Sequence, residues 1–129
     1  MSAITISLSG LMSARAQLMA SAANVANYQS QGSLDGVPKP YRPIVIIQTP
    51  ATPPDMGVTL TYARSSAPPP EVYEPDSPLA DRQGMVAGSG VDLPQEAVNQ
   101  VLALESFRAN LAVLRTAQQM DRALLNLKV

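Results

Sequence analysis

Asp92-Leu93-Pro94-Gln95-Glu96-Ala97-Val98 opens the stretch on which the fold turns. Asp92 has a side-chain oxygen suited to cap the first unpaired N–H groups of a helix, and Gln95, three residues on, completes a capping-box pattern. Pro94 falls in the first turn, where proline is tolerated. Beyond it, Ala97, Val101, Leu104, Phe107, Leu111, Leu114, Ala117, Met120, Leu124 and Leu127 recur in steps of three and four as one continuous apolar stripe. Arg122 and Lys128 stand near the end that the helix dipole favours for cations. A helix of this length reaches roughly 50 Å at 1.5 Å per residue, which is long for so short a chain.

At the other end, the spacing predicts a helix from about Ser7 to Asn27. Ile4, Leu8, Leu11, Leu18, Ala22 and Val25 follow the helical period, with Arg15 interrupting the seam. Met12, Ala16, Met19, Ala23 and Ala26 form a second stripe beside the first. Periodicity alone fits an ordinary core helix. A helix apolar over most of its circumference, with one charge, needs cover on several sides. Asn27 tolerates left-handed backbone and Gly32 follows, so the helix has a place to stop. Arg15 either pairs across the helices with an acid such as Glu105, snorkels to the edge, or is exposed without a partner.

All 12 prolines fall from Pro38 to Pro94, so that the first 37 and the last 35 residues have none. Proline inside a helix costs about 3 kcal/mol, so this middle zone is hostile to helix. Tyr41–Gln48 and Gly57–Arg64 read as strands, the first from its β-branched run and the second from its alternation. Pro50, Pro53, Pro54 and Asp55 turn the chain between them. Pro68-Pro69-Pro70 favours a stiff extended stretch, and Glu71–Pro78 reads as a short edge strand or arm. Gly84, Gly88 and Gly90 suggest a flexible lead into the last helix. The expected fold is therefore α+β: two terminal helices in an antiparallel coiled-coil hairpin, with a small proline-rich β insert at one end. The expected divisions are residues 1–28, 29–91 and 92–129, as one structural unit.

Composition narrows the function. The chain has 129 residues and is 46% hydrophobic but 4% aromatic, so its apolar material suits helix seams rather than a bulky globular centre. It has 9 Lys+Arg against 10 Asp+Glu with no basic block, a poor match to nucleic acid or an anionic membrane. Without Cys or His, it lacks thiolate nucleophiles, Cys/His zinc sites and any imidazole-dependent triad. No cofactor or small-molecule substrate is expected. Glu71, Glu74, Asp76 and Asp81 are the material an acid/base enzyme would use, but acids clustered between prolines are ordinarily a solvated loop. No run approaches the roughly 20 apolar residues that span a bilayer. Nor does Met1–Ile6 have the basic start of a cleaved secretory signal.

Several segments are similar to a known family. Ala23-Asn24-Val25-Ala26-Asn27, ending the first helix, resembles the signature of flagellar rod and hook proteins. Pro40-Tyr41-Arg42-Pro43 with Val45, and Tyr73-Glu74-Pro75-Asp76-Ser77-Pro78-Leu79-Ala80-Asp81, resemble the proximal-rod proteins of the C type within the flagellar basal-body rod family. Gly84, Val86, Val91, Asp92, Glu96, Ala109-Asn110, Met120 and Leu124 continue the match, while Met85 stands where that family usually has Tyr. The resemblance implies a non-enzymatic, self-associating subunit of the periplasmic drive shaft that transmits torque. It implies export through the flagellar type III apparatus without signal cleavage. It implies that the partners are copies of itself and other rod proteins. The competing expectation is a helical-hairpin adaptor or chaperone-like protein of a secretion apparatus.

Under the rod expectation the assembly interface draws on Leu8, Leu11, Leu18, Asn24, Val25 and Asn27 from the first helix. The last helix contributes Val101, Leu104, Phe107, Leu111, Leu114 and Leu124, and the middle zone contributes Tyr73, Pro75 and Pro78. The amides of Asn24 and Asn27 either satisfy backbone groups where neighbouring subunits meet or simply terminate the helix. Tyr73–Asp81 is either a docking arm or a connection.

Overall fold

The computed structural model describes residues 3–52 and 57–127. Its elements run α1 (Ala3–Ala26), β1 (Ile44–Pro50), β2 (Val58–Arg64), β3 (Glu71–Tyr73), β4 (Met85–Ala87) and α2 (Leu93–Asn126). The fold is α+β, with two helices at the ends of the chain and small antiparallel sheets between them.

Asp92 caps α2 as its chemistry demands: its extended backbone carries a carboxylate that accepts the Gln95 N–H at 3.3 Å. The return bond of a capping box, from Asp92 N–H to the Gln95 amide oxygen, does not form, and the Gln95 NH2 group donates to Asn99 Oδ1 at 3.1 Å. No basic residue occupies the last turn of α2; Arg122 falls one turn short, and Lys128 lies outside the described residues. α1 starts at Ala3, four residues before Ser7. Its end needs no left-handed residue, since no described non-glycine residue has positive φ. Asn27 closes the helix on the carbonyl of Ala23, which accepts both its backbone N–H at 3.2 Å and its side-chain Nδ2 at 2.8 Å.

The two helices run antiparallel. Ser21 and Asn24 of α1 bond Glu96 near the start of α2, while Gly10 abuts Asn110 fourteen positions further along. The seam between them is not the Leu/Met stripe. α1 buries Ser7, Ser13, Ala14, Ala16, Ala20, Ser21 and Asn24, and α2 buries Glu96, Ala103 and Ala117. Small side chains let the two backbones approach closely, so that a Cβ added at Gly10 would lie 2.6 Å from Asn110 Cγ. The leucine-rich stripe of α2 lies largely outside this seam, with Val101 60% and Leu104 43% exposed. From Gln118 onward every described residue of α2 is exposed, because the helix outruns α1.

β1 and β2 form an antiparallel ribbon with Ile44 opposite Arg64 and Pro50 opposite Val58. This ribbon lies lengthwise along α1 rather than at one end of the helix pair. Ile44 sits at Asn24, and a Cβ added at Gly57 would come within 3.0 Å of Ser9 Cβ. Between those points α1 rises about 22 Å, a span that a seven-residue strand covers. The expected turn at Pro53, Pro54 and Asp55 lies outside the described residues.

Strand β4 was not legible in the glycine-rich segment before α2. Val86 and Ala87 are fully buried there, β4 pairs with β3, and Gly32 bridges Ala87 from the opposite side. The segment Gly84–Gly90 is therefore a packed strand with turns, not a flexible lead. The residues between Tyr73 and Met85 form a closed loop. The Asp81 carboxylate accepts the N–H groups of Gln83 and Met85, and Glu74 N–H bonds Gly84 O at 2.8 Å.

Candidate assembly surface and its internal anchor

With small residues taken into the seam, the bulky apolar side chains of both helices are left on the outside. On α1, Leu8, Met12, Leu18, Met19 and Val25 are exposed, Met12 at 61%. On α2 the exposed set includes Val98, Val101, Leu102, Leu104, Phe107, Val113 and Met120, and it continues over the overhang with Leu124, Leu125 and Leu127. Large apolar side chains exposed in this number on both helices are the material from which an interaction surface is built. Among the described residues no helix is long and apolar enough to cross a membrane.

The residues expected at the interface fall into three groups. Leu8, Leu18, Val25, Val101, Leu104, Phe107 and Leu124 are exposed on the helices, as are Tyr73 at the end of β3 and Pro75 and Pro78 on the loop that follows it. Leu11, Leu111 and Leu114 are half-buried between the seam and the outer face, and Asn27 is half-buried at the end of α1. Asn24 is 2% exposed and lies inside its own chain.

Asn24 is the anchor of the middle segment. Its Nδ2 donates to Ile44 O at 3.0 Å and to Glu96 Oε1 at 2.8 Å. Its Oδ1 accepts Ile44 N–H at 2.7 Å and the Tyr41 hydroxyl at 2.9 Å. That uses the full capacity of an amide side chain, all within one chain. The backbone groups that Asn24 satisfies belong to β1, not to a neighbouring subunit. Nearby, the Arg64 guanidinium sits 5.3 Å over the Tyr41 ring and donates to Arg42 O, tying the far strand to the same corner.

Glu105 is engaged by Arg108 on its own helix at 2.7 Å, so it does not pair with Arg15, which is exposed on α1. Sequence reasoning missed Glu96 and Tyr41 as partners of Asn24. No period in the sequence pointed to Glu96, because the apolar stripe of the last helix runs through Ala97, Val101 and Leu104 instead.

The outward apolar faces and the Tyr73–Asp81 loop invite comparison with known proteins. Residues 82–127 match the family described as flagellar basal body rod FlgEFG protein, C-terminal. The flagellar basal-body rod protein FlgC of Salmonella typhimurium is 39% identical over 116 residues, covering 87% of this chain and 85% of the relative. This chain belongs to the FlgC family of flagellar basal-body rod proteins. FlgC of Yersinia enterocolitica is 37% identical over 84% of both chains. FlgC of Aquifex aeolicus is 30% identical over 84% of this chain and 82% of the relative. The segment matched by the FlgEFG description contains β4 and the whole of α2, the element with the longest outward apolar face.

Proposed function

We propose that this chain is a structural subunit of the flagellar rod that polymerises with copies of itself and with other rod proteins. The observation that carries this is the placement of the large apolar side chains of both helices outside the seam. A lone molecule leaves that surface in water; neighbours in a shaft would bury it. Helical assemblies use interfaces in which each patch meets a different patch on the next copy. The helix pair, as a coiled-coil hairpin, would form the shaft wall. The proline-rich middle, residues 29–91, would act as an outer arm, with its prolines limiting uncontrolled strand pairing. Tyr73, Pro75 and Pro78 are the docking residues of that arm. Family membership supports a periplasmic location reached through type III export, with no signal cleaved and no catalysis involved.

The test is a charge on the outer face. Leu18→Asp and Leu104→Asp should leave the isolated chain folded, because both positions already meet water. In an assembled interface each would bury a carboxylate without a partner, which costs several kcal/mol. The expected outcome is lost motility, subunit still secreted, and basal bodies without a complete rod in electron micrographs. Normal swimming in both variants would overturn the assignment.

A further inference from the structure

We propose that Asn24 and Glu96 are positioning residues that fix the β1–β2 ribbon lengthwise against the helix pair. In the β1–β2 ladder, Pro43 O accepts from Ser65 N–H, Gly57 O accepts from Ala51 N–H, and Val45 and Ile47 lie opposite Ala63 and Thr61. The alternation of an antiparallel pair therefore turns the N–H and C=O of Ile44 away from β2. Asn24 meets both of these groups with one amide, taking the place of a third strand's peptide group at that point.

Glu96 reinforces the orientation that the N–H and C=O of Ile44 already require of the amide. A carboxylate only accepts, so it draws the NH2 group of Asn24 to its side and leaves the oxygen for Ile44 N–H and the Tyr41 hydroxyl. Glu96 is 7% exposed, and its other oxygen accepts from Asn99 at 3.4 Å. The ion pair between Arg108 and Glu105 is the only one among the described residues, so no cation offsets the burial of this carboxylate. Burying a charge for packing alone is unfavourable. Its hydrogen bonds to two amides give it a use. The joint thus links α1, α2 and β1 at one residue. The joint lies within one chain and does not depend on rod assembly.

Amide hydrogen exchange on the full chain tests it. In Asn24→Ala, Ile44 N–H should exchange about tenfold faster or more, as expected on losing its bond. The ladder amides of Val45 and Ile47 and the α2 amide of Ala103 should keep their wild-type rates. Glu96→Gln, which still offers an oxygen to Asn24, should match wild type, whereas Glu96→Ala should speed Ile44 exchange by at least about threefold. Four results would each overturn the proposal. These are an unchanged Ile44 rate in Asn24→Ala, Glu96→Ala behaving as wild type, Ala103 accelerating in step with Ile44, or wild-type Ile44 exchanging as fast as in a free peptide.

Discussion

Exchanging sizes across one turn of α2 separates the inner face from the outer one. Ala103 is 1% exposed and faces the small-residue side of α1, whereas the adjacent Leu104 is 43% exposed. Ala103→Leu forces an isobutyl group into a seam whose closeness depends on methyl and hydroxyl groups. Overpacking of this kind costs about 1–3 kcal/mol, which for a chain of this size lowers Tm by roughly 3–12 °C. Leu104→Ala removes a side chain that is already nearly half in water. A fully buried leucine would lose about 2–5 kcal/mol on truncation. The partial exposure, together with the higher helix propensity of Ala, brings the expected loss to about 1 kcal/mol or less. Calorimetry of the purified full chain should therefore show a clear drop for Ala103→Leu and a small one for Leu104→Ala. Had the Leu-rich stripe filled the hairpin, the order would be reversed, and a reversed order would refute the small-residue seam.

Other perturbations probe different links. Asp92→Ala removes the side-chain acceptor at the start of α2 and should cost about 0.5–2 kcal/mol, read as a shift in the urea midpoint. Gly84 has φ +78°, and an added Cβ would lie 2.9 Å from Tyr73 Cε2 and 3.3 Å from Pro75 Cα. Gly84→Ala should therefore cost about 1–2 kcal/mol from the backbone alone, with further loss from the contacts, and should change the near-UV tyrosine signal. Leu125 is 69% exposed on the overhang of α2, so Leu125→Asp should move stability by less than about 0.5 kcal/mol. If the overhang is an assembly surface, the same variant should be non-motile in a swimming assay while its subunit is still secreted.

Local chemistry in the sequence was sufficient for much of the architecture. The capped start at Asp92, the proline-free ends and the β-branched and alternating runs at β1 and β2 each depend on neighbours along the chain. The family likeness, through Tyr73–Asp81 and Ala23–Asn27, was also legible in the residues themselves. Strand β4 was not, because three residues flanked by glycines carry no period, and Val86 and Ala87 become buried only when β3 and Gly32 pair beside them.

Periodicity marked two apolar stripes on the first helix and one on the last, but not which face turns inward. On a hydropathy scale Ser7, Gly10, Ala14 and Ser21 lose to Leu8, Leu11 and Leu18. Two helices that both present small residues nevertheless gain close backbone contact and hydrogen bonds such as Ser21 to Glu96 O. That choice belongs to the pair, since it requires the small face of α1 to meet Ala103 and Asn110 of a helix some ninety residues away in sequence. The role of Asn24 is decided in the same way. The sequence by itself marked a helix-ending asparagine, and only tertiary structure brought Tyr41, Ile44 and Glu96 within hydrogen-bonding reach of its amide.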